Sequence, residues 1–259
     1  MTTIVAGAFG FLGALVAHDL ATQVLHDQPL RPLAGTCPRC GTRRGWFSLH
    51  CDSCGRRVGR EALLVLLGVA AAAGFANTLG PEWALIPYLG FLWLTIALGI
   101  TDIDAFRIVD RLNIPGTIVL VLTLGAASLA DGVPGNWVRG LLGGLAYFAG
   151  TNLLFLLVRG RGFGYGDVKL SAVLGVFTAY LSWGTLGWSV FLTAVIGGLI
   201  SIAVVGVGLM VGAGRRRAGQ AEVPMREVMK AEVPYGPAMI LGAWVAIVLA
   251  GLGAFALPT

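Results

Sequence analysis

Eight stretches of this chain are almost free of charge, most of them near twenty residues long, and each is bounded by charged residues or Pro/Gly breaks. They fall at residues 3–25, 61–79, 83–101, 114–129, 138–158, 168–181, 186–211 and 237–257. Crossing about 30 Å of hydrocarbon takes roughly 20 apolar residues in a helix, and a helix satisfies its own backbone there. The expected fold is therefore all-α: a polytopic membrane helix bundle of about eight transmembrane helices. Composition excludes a soluble domain. Of 259 residues, 56% are hydrophobic and 12% charged, half the usual charged share and too few to cover a water-facing surface. Two segments are irregular. The sixth is short and contains Gly175, while the first carries His18 and Asp19 with His26 just beyond, so either is expected to tilt, break or lie partly at the interface.

The net charge of +5 is read through its distribution. With alternating orientation, connections 26–60, 102–113, 159–167 and 212–236 share one side, and all but Arg139 of the 18 basic residues lie in or just beyond them. The excess of Lys and Arg marks that side as cytoplasmic and puts both termini outside. The expected location is the inner (cytoplasmic) membrane. The run Arg215 to Arg217 is read as a topology determinant, with no ligand assigned. The first segment lacks a basic region before it and a small-x-small cleavage site, so it is expected to be retained. Close glycines, such as Gly143 with Gly144 and Gly197 with Gly198, suit tight helix packing.

All four cysteines fall in the first of these connections, as Cys37-Pro-Arg-Cys40-Gly and Cys51-Asp-Ser-Cys54-Gly. Two C-x-x-C turns, each followed by a glycine, supply a tetrahedral thiolate set. Structural zinc is the expected occupant. Iron has the same ligand preference, and two disulfides are disfavoured in a reducing cytosol. Four sulfurs leave no open coordination position, so the metal is expected to fold a small knuckle rather than to catalyse.

Chemistry is sought instead in the carboxylates at the hydrocarbon edge. The third apolar segment runs into Thr101-Asp102-Ile103-Asp104, and the sixth is opened by Gly164-Tyr165-Gly166-Asp167-Val168-Lys169-Leu170. Charge so near the hydrocarbon is costly unless it faces protein or water. Both edges lie on the cytoplasmic side, where two carboxyl groups sharing a proton can act as base toward water and acid toward a carbonyl. That is the arrangement for aspartic proteolysis. No His, Ser or Cys constellation competes. The competing structural reading makes Asp102 and Asp167 helix-end residues held by arginines, with Asp167 suited to a helix N-terminus. Residues two apart on a helix point about 200° apart, so Asp102 and Asp104 cannot both face one partner, and spacing does not choose between them.

The Gly164-Tyr165-Gly166-Asp167 run with Lys169-Leu170 resembles the GxGD motif of the type IV prepilin peptidases, a family of membrane aspartic proteases. The stretch from Asp102 to Asp110 is similar to that family's first catalytic motif, Val233-Pro234-Tyr235-Gly236-Pro237 to its Pro-aromatic-Gly-Pro before the last helix, and the cysteine tetrad follows helix one as in the family. The resemblance covers nearly the whole chain. It implies that Asp102 and Asp167 are the catalytic pair, and that the substrates are type IV prepilins or pseudopilins cut after a Gly at the end of a basic leader. Full-length members also methylate the new amine with S-adenosylmethionine. Here the chain departs from the pattern: the stretch from Gly10 to Leu20 lacks the Asn and the Arg-Leu-Pro of helix one, and the gap between cysteine pairs is short.

The chain accordingly divides into residues 1–79, two membrane segments with the knuckle at 30–60, and residues 80–259, a six-segment peptidase region. The expected partners are the prepilin substrate and membrane lipid, with no nucleic acid. A transporter or scaffold that docks a partner through the knuckle predicts acids near the middle of helices and paired broken helices, whereas Asp102 and Asp167 lie at segment ends. An electron-transfer anchor predicts iron, and hence colour, in the tetrathiolate.

Overall fold

The computed structural model describes residues 2–25, 40, 42, 53, 59–159, 164–217 and 235–253. Among these the regular structure is entirely helical: α1 Thr2–Leu25, α2 Gly59–Leu79, α3 Leu85–Ala105, α4 Asp110–Ala130, α5 Pro134–Leu157, α6 Tyr165–Leu181, α7 Trp183–Arg217 and α8 Gly236–Gly251. Each apolar segment of the sequence has its helix. Five of the helices are long and apolar enough to cross a membrane, and α8 and residues 63–79 of α2 form shorter apolar helices. Leu122, Leu145, Leu153, Phe191, Leu199 and Ile202 point outward from α4, α5 and α7. Water would not tolerate such a belt, whereas acyl chains would.

The two irregular segments have one explanation. α1 is an unbroken 24-residue helix whose His18, Asp19 and Gln23 are buried, with Gln23 donating to the Asp19 carboxylate at 2.9 Å. Its polar residues face protein, so α1 has no need to break. α6 has only 17 residues, and twelve of them are buried. A helix surrounded by protein need not match the bilayer thickness.

Small residues bring the helices together. A Cβ on Gly175 would lie 2.7 Å from the Gly143 carbonyl oxygen and 2.8 Å from Gly144 Cα, so α5 and α6 meet backbone to backbone. Gly197 serves the same end against the Tyr235 ring, while Gly198 faces open space. Packing was the expected role of both pairs, and Gly198 is the member with no neighbour to pack on. Between α3 and α6 lies instead a layer of rings. Phe91 stacks on Phe177 at 4.4 Å between centroids, Tyr88 meets Phe177 edge-on at 5.0 Å, and the Tyr88 hydroxyl donates to the Phe177 carbonyl.

At the end of the bundle where α3 and α7 begin, charges act as caps. The Asp131 carboxylate accepts the N–H groups of Trp83 and Ala84, both at 3.0 Å, at the start of α3. Arg139, the lone basic residue assigned to this side, donates to the carbonyls of Ala179, Tyr180 and Leu181 at the C-terminus of α6. A cation belongs at that pole of the helix dipole, so a local electrostatic need overrides the charge asymmetry.

Gly175→Val is expected to lose about 1–3 kcal/mol, because backbone atoms cannot yield to an overpacked side chain. Gly187, with nothing within 4 Å of its added Cβ, should accept Ala without loss. Thermal unfolding of both variants in detergent measures the difference.

Candidate active site

Antiparallel packing of α3 against α6 carries the two acidic motifs to the same end. The rings of Phe91 and Phe177 fix the register. From Phe91, Asp102 is eleven residues toward the C-terminus of α3, and from Phe177, Asp167 is ten residues toward the N-terminus of α6. At 1.5 Å per residue, they travel about 15–17 Å along nearly matched paths. The helix α8 follows α3 in a second antiparallel register: Trp244 Nε1 donates to Thr95 Oγ1 at 3.1 Å, Ile240 reaches Gly99, and Gly236 arrives at Asp102.

Asp102 and Asp167 are each only 6% exposed, whereas Asp104 is exposed. The helical rotation that spacing left open is thereby resolved: Asp102 turns inward and Asp104 outward. Asp102 Oδ2 accepts the Gly236 N–H at 3.0 Å. A Cβ on Gly236 would lie 2.7 Å from that same oxygen, so glycine is required for the approach. Asp167 is the third residue of α6, and its Oδ2 accepts the Gly164 N–H at 3.2 Å. This is the backward-reaching half of a capping box, which satisfies a donor at the helix start. The Asp102 and Asp167 carboxyl groups interact electrostatically.

The turn between α3 and α4 fits onto the GxGD segment. Phe106 closes α3 in a left-handed conformation, φ 50°, and its N–H bonds to the Asp102 carbonyl at 2.8 Å. Buried Ile108 then packs on Gly166, whose added Cβ would lie 3.0 Å from Ile108 Cβ. Gly166 is there for close approach, since its φ is not positive. Two tyrosines complete the surroundings. Tyr147 of α5 and Tyr235 before α8 both feel the Asp167 charge. Tyr147 had no signal in the sequence, and Tyr235 had only its place in the Pro-aromatic-Gly-Pro run.

Cys37, Cys51 and Cys54 lie outside the described residues. Cys40 is exposed, with its Sγ 3.0 Å from Thr42 Oγ1. Among the described residues no group of three or more His, Cys, Asp or Glu is arranged to hold a metal.

Two inward carboxyl groups on separate helices, screened from bulk water and each accepting a backbone N–H, are chemically equipped to serve as acid and base. Residues 89–202, which contain both aspartates, match the type IV leader peptidase family. The chain is 30% identical over 207 residues to the prepilin leader peptidase/N-methyltransferase of Aeromonas hydrophila, covering 78% of this chain and 63% of that protein. It is 30% identical over 229 residues to the protein of that name from Pseudomonas aeruginosa, covering 82% and 70%. This chain belongs to the type IV leader peptidase family. It spans 62–63% of the length of the Aeromonas relatives, and no solved structure matches it. The family match begins within α3 and ends within α7, so neither the cysteines nor Gly236 falls inside it. As a member of this family with several membrane-length apolar helices, the chain is a multi-pass membrane protein.

Asp102→Asn keeps an oxygen to accept the Gly236 N–H and removes a buried charge, so its stability should stay within about 1 kcal/mol of the parent. Gly236→Ala forces a contact on Asp102 and should cost about 1–3 kcal/mol. Thermal melts of the two purified variants check both values.

Proposed function

We propose that this protein is an aspartic endopeptidase of the cytoplasmic membrane that removes the basic leader of type IV prepilins or pseudopilins after a Gly. The observation that carries the reading is the arrival of two inward carboxyl groups, Asp102 and Asp167, from separate motifs at one end of the bundle. The relatives are named for prepilin leader cleavage, and the family match spans both residues.

In the proposed reaction one aspartate is ionised and the other protonated, because two close carboxylates resist holding two charges. The ionised group takes a proton from water as the oxygen attacks the scissile carbonyl. The protonated group donates to the carbonyl oxygen, and collapse of the tetrahedral species returns a proton to the departing amine. The Gly236 and Gly164 N–H groups orient the two carboxyls. In the proposed topology all eight helices cross the bilayer, with the aspartates and the cysteine loop cytoplasmic and α6 sheltered by its neighbours. A basic leader would stay in the cytosol while the apolar segment behind it stays in lipid, which delivers the junction to the aspartates.

The four-thiolate set suits a closed structural zinc site, and Cys37, Cys40, Cys51 and Cys54 would hold the ion. Zinc there would fold the loop and supply no chemistry to the cleavage. The relatives' printed names also include N-methyltransferase, but the stretch from Gly10 to Leu20 lacks the Asn and Arg-Leu-Pro of the methylating pattern, so the proposed activity is cleavage without methyl transfer from S-adenosylmethionine.

Membranes carrying the parent chain should cleave a cognate prepilin, and Asp102→Asn or Asp167→Asn should lower the rate by at least about a thousandfold. Asp104→Asn should leave it within about twofold, as expected for an exposed side chain outside the pair. Normal cleavage by both inner variants would sink the mechanism. Elemental analysis of the purified protein should find about one zinc per chain, lost in Cys37→Ser or Cys51→Ser. A coloured protein containing iron would refute the zinc assignment.

A further inference from the structure

Lys169 lies two residues beyond Asp167 and so points away from it around α6. It is a cation near a helix N-terminus, where the dipole disfavours positive charge. Its ammonium reaches across to the first residue of α4, where it donates to both oxygens of Asp110 at 2.8 and 2.7 Å. The same ammonium lies 5.3 Å from the centroid of the Tyr165 ring, and that ring is packed edge-on against Phe155 of α5 at 5.5 Å. The side chains of Lys169 and Asp110 are 30% and 51% exposed. A pair so wetted adds little to overall stability, yet its position is specific. It closes a short circuit that runs from Asp102 through the turn at Phe106 and Ile108 to Asp110, across to Lys169, and back to Asp167. Ile108 against Gly166 is the apolar contact inside that circuit.

Resting on the peptidase reading above, we propose that Lys169 and Asp110 are positioning residues, a polar brace that fixes the end of α3 relative to the start of α6 and so sets the spacing of the two aspartates. Neither touches the reacting atoms. Their loss should leave substrate affinity alone and reduce the frequency of productive geometry, since small displacements at reacting groups are costly in rate.

The test is a double-mutant cycle on prepilin cleavage in the full-length protein, with Lys169→Met, Asp110→Asn and their combination, and Lys169→Arg as the conservative variant. The brace predicts that each neutralising variant lowers kcat about ten- to a hundredfold at unchanged KM. It also predicts that the combination is no worse than either alone, and that Lys169→Arg recovers most of the rate. Effects that multiply, or a rise in KM alone that marks Asp110 as a contact for the basic leader, would overturn it. Hydrogen–deuterium exchange gives a readout independent of turnover: Lys169→Met and Asp110→Asn should each speed exchange in residues 106–110 and 164–168, and Lys169→Arg should not. If the parent chain proves inactive on prepilins, the peptidase reading fails while exchange still judges the brace, and unchanged exchange in both neutralising variants refutes it.

Discussion

Hydrocarbon offers no partner to a peptide N–H or carbonyl, and the arrangement of this chain follows from that constraint. Helices satisfy their own backbone along their length and leave unpaired groups only at their ends. At those ends four charged residues answer the unpaired backbone groups. Asp131 answers the first N–H groups of α3, Arg139 the last carbonyls of α6, and Asp167 and Asp102 the N–H groups that precede α6 and open α8. The candidate catalytic groups are thus helix-terminus residues first. The structural role that competes with catalysis in the sequence turns out to be part of the same geometry: the hydrogen bonds that hold the helix starts also aim the carboxyls.

Packing decides which end the pair occupies. Glycine brings α5 and α6 into backbone contact, which leaves α6 enclosed, whereas an aromatic layer separates α6 from α3. The rings keep two helices apart and in register, so that the carboxyls about fifteen ångströms further along arrive at the same end of the bundle. The α8 register adds a third element without which Asp102 would have no backbone donor. A single side-chain methyl at Gly236 would occupy the space of the carboxylate oxygen.

Much of this is legible in the sequence. Each apolar segment became a helix because length and charge-free composition leave few alternatives, and Asp102 and Asp167 stood out because charge at a hydrocarbon edge is rare. The rotation of α3 was not legible, since the choice between Asp102 and Asp104 depends on which face meets α8. Nor was the partner of Asp110. The antiparallel arrangement of α3 and α6 brings Lys169 to Asp110 from 59 residues away. Arg139 was visible as the exception to the charge asymmetry, but its reason, three carbonyls on another helix, is a tertiary fact. The cysteine knuckle had a strong pattern, and three of its four members lie outside the described residues.

Convergence of Asp102 and Asp167, with Asp104 pointing away, is what the proposed chemistry requires. Intramolecular cross-linking tests it directly, using a short bifunctional thiol reagent on Asp102→Cys with Asp167→Cys in a chain whose native cysteines are serine, read by mass spectrometry of the linked peptides. Efficient bridging of positions 102 and 167 is expected, with little bridging of 104 and 167 in the matching Asp104→Cys chain. Preferential bridging of 104 to 167, in protein that melts like the parent, would contradict it.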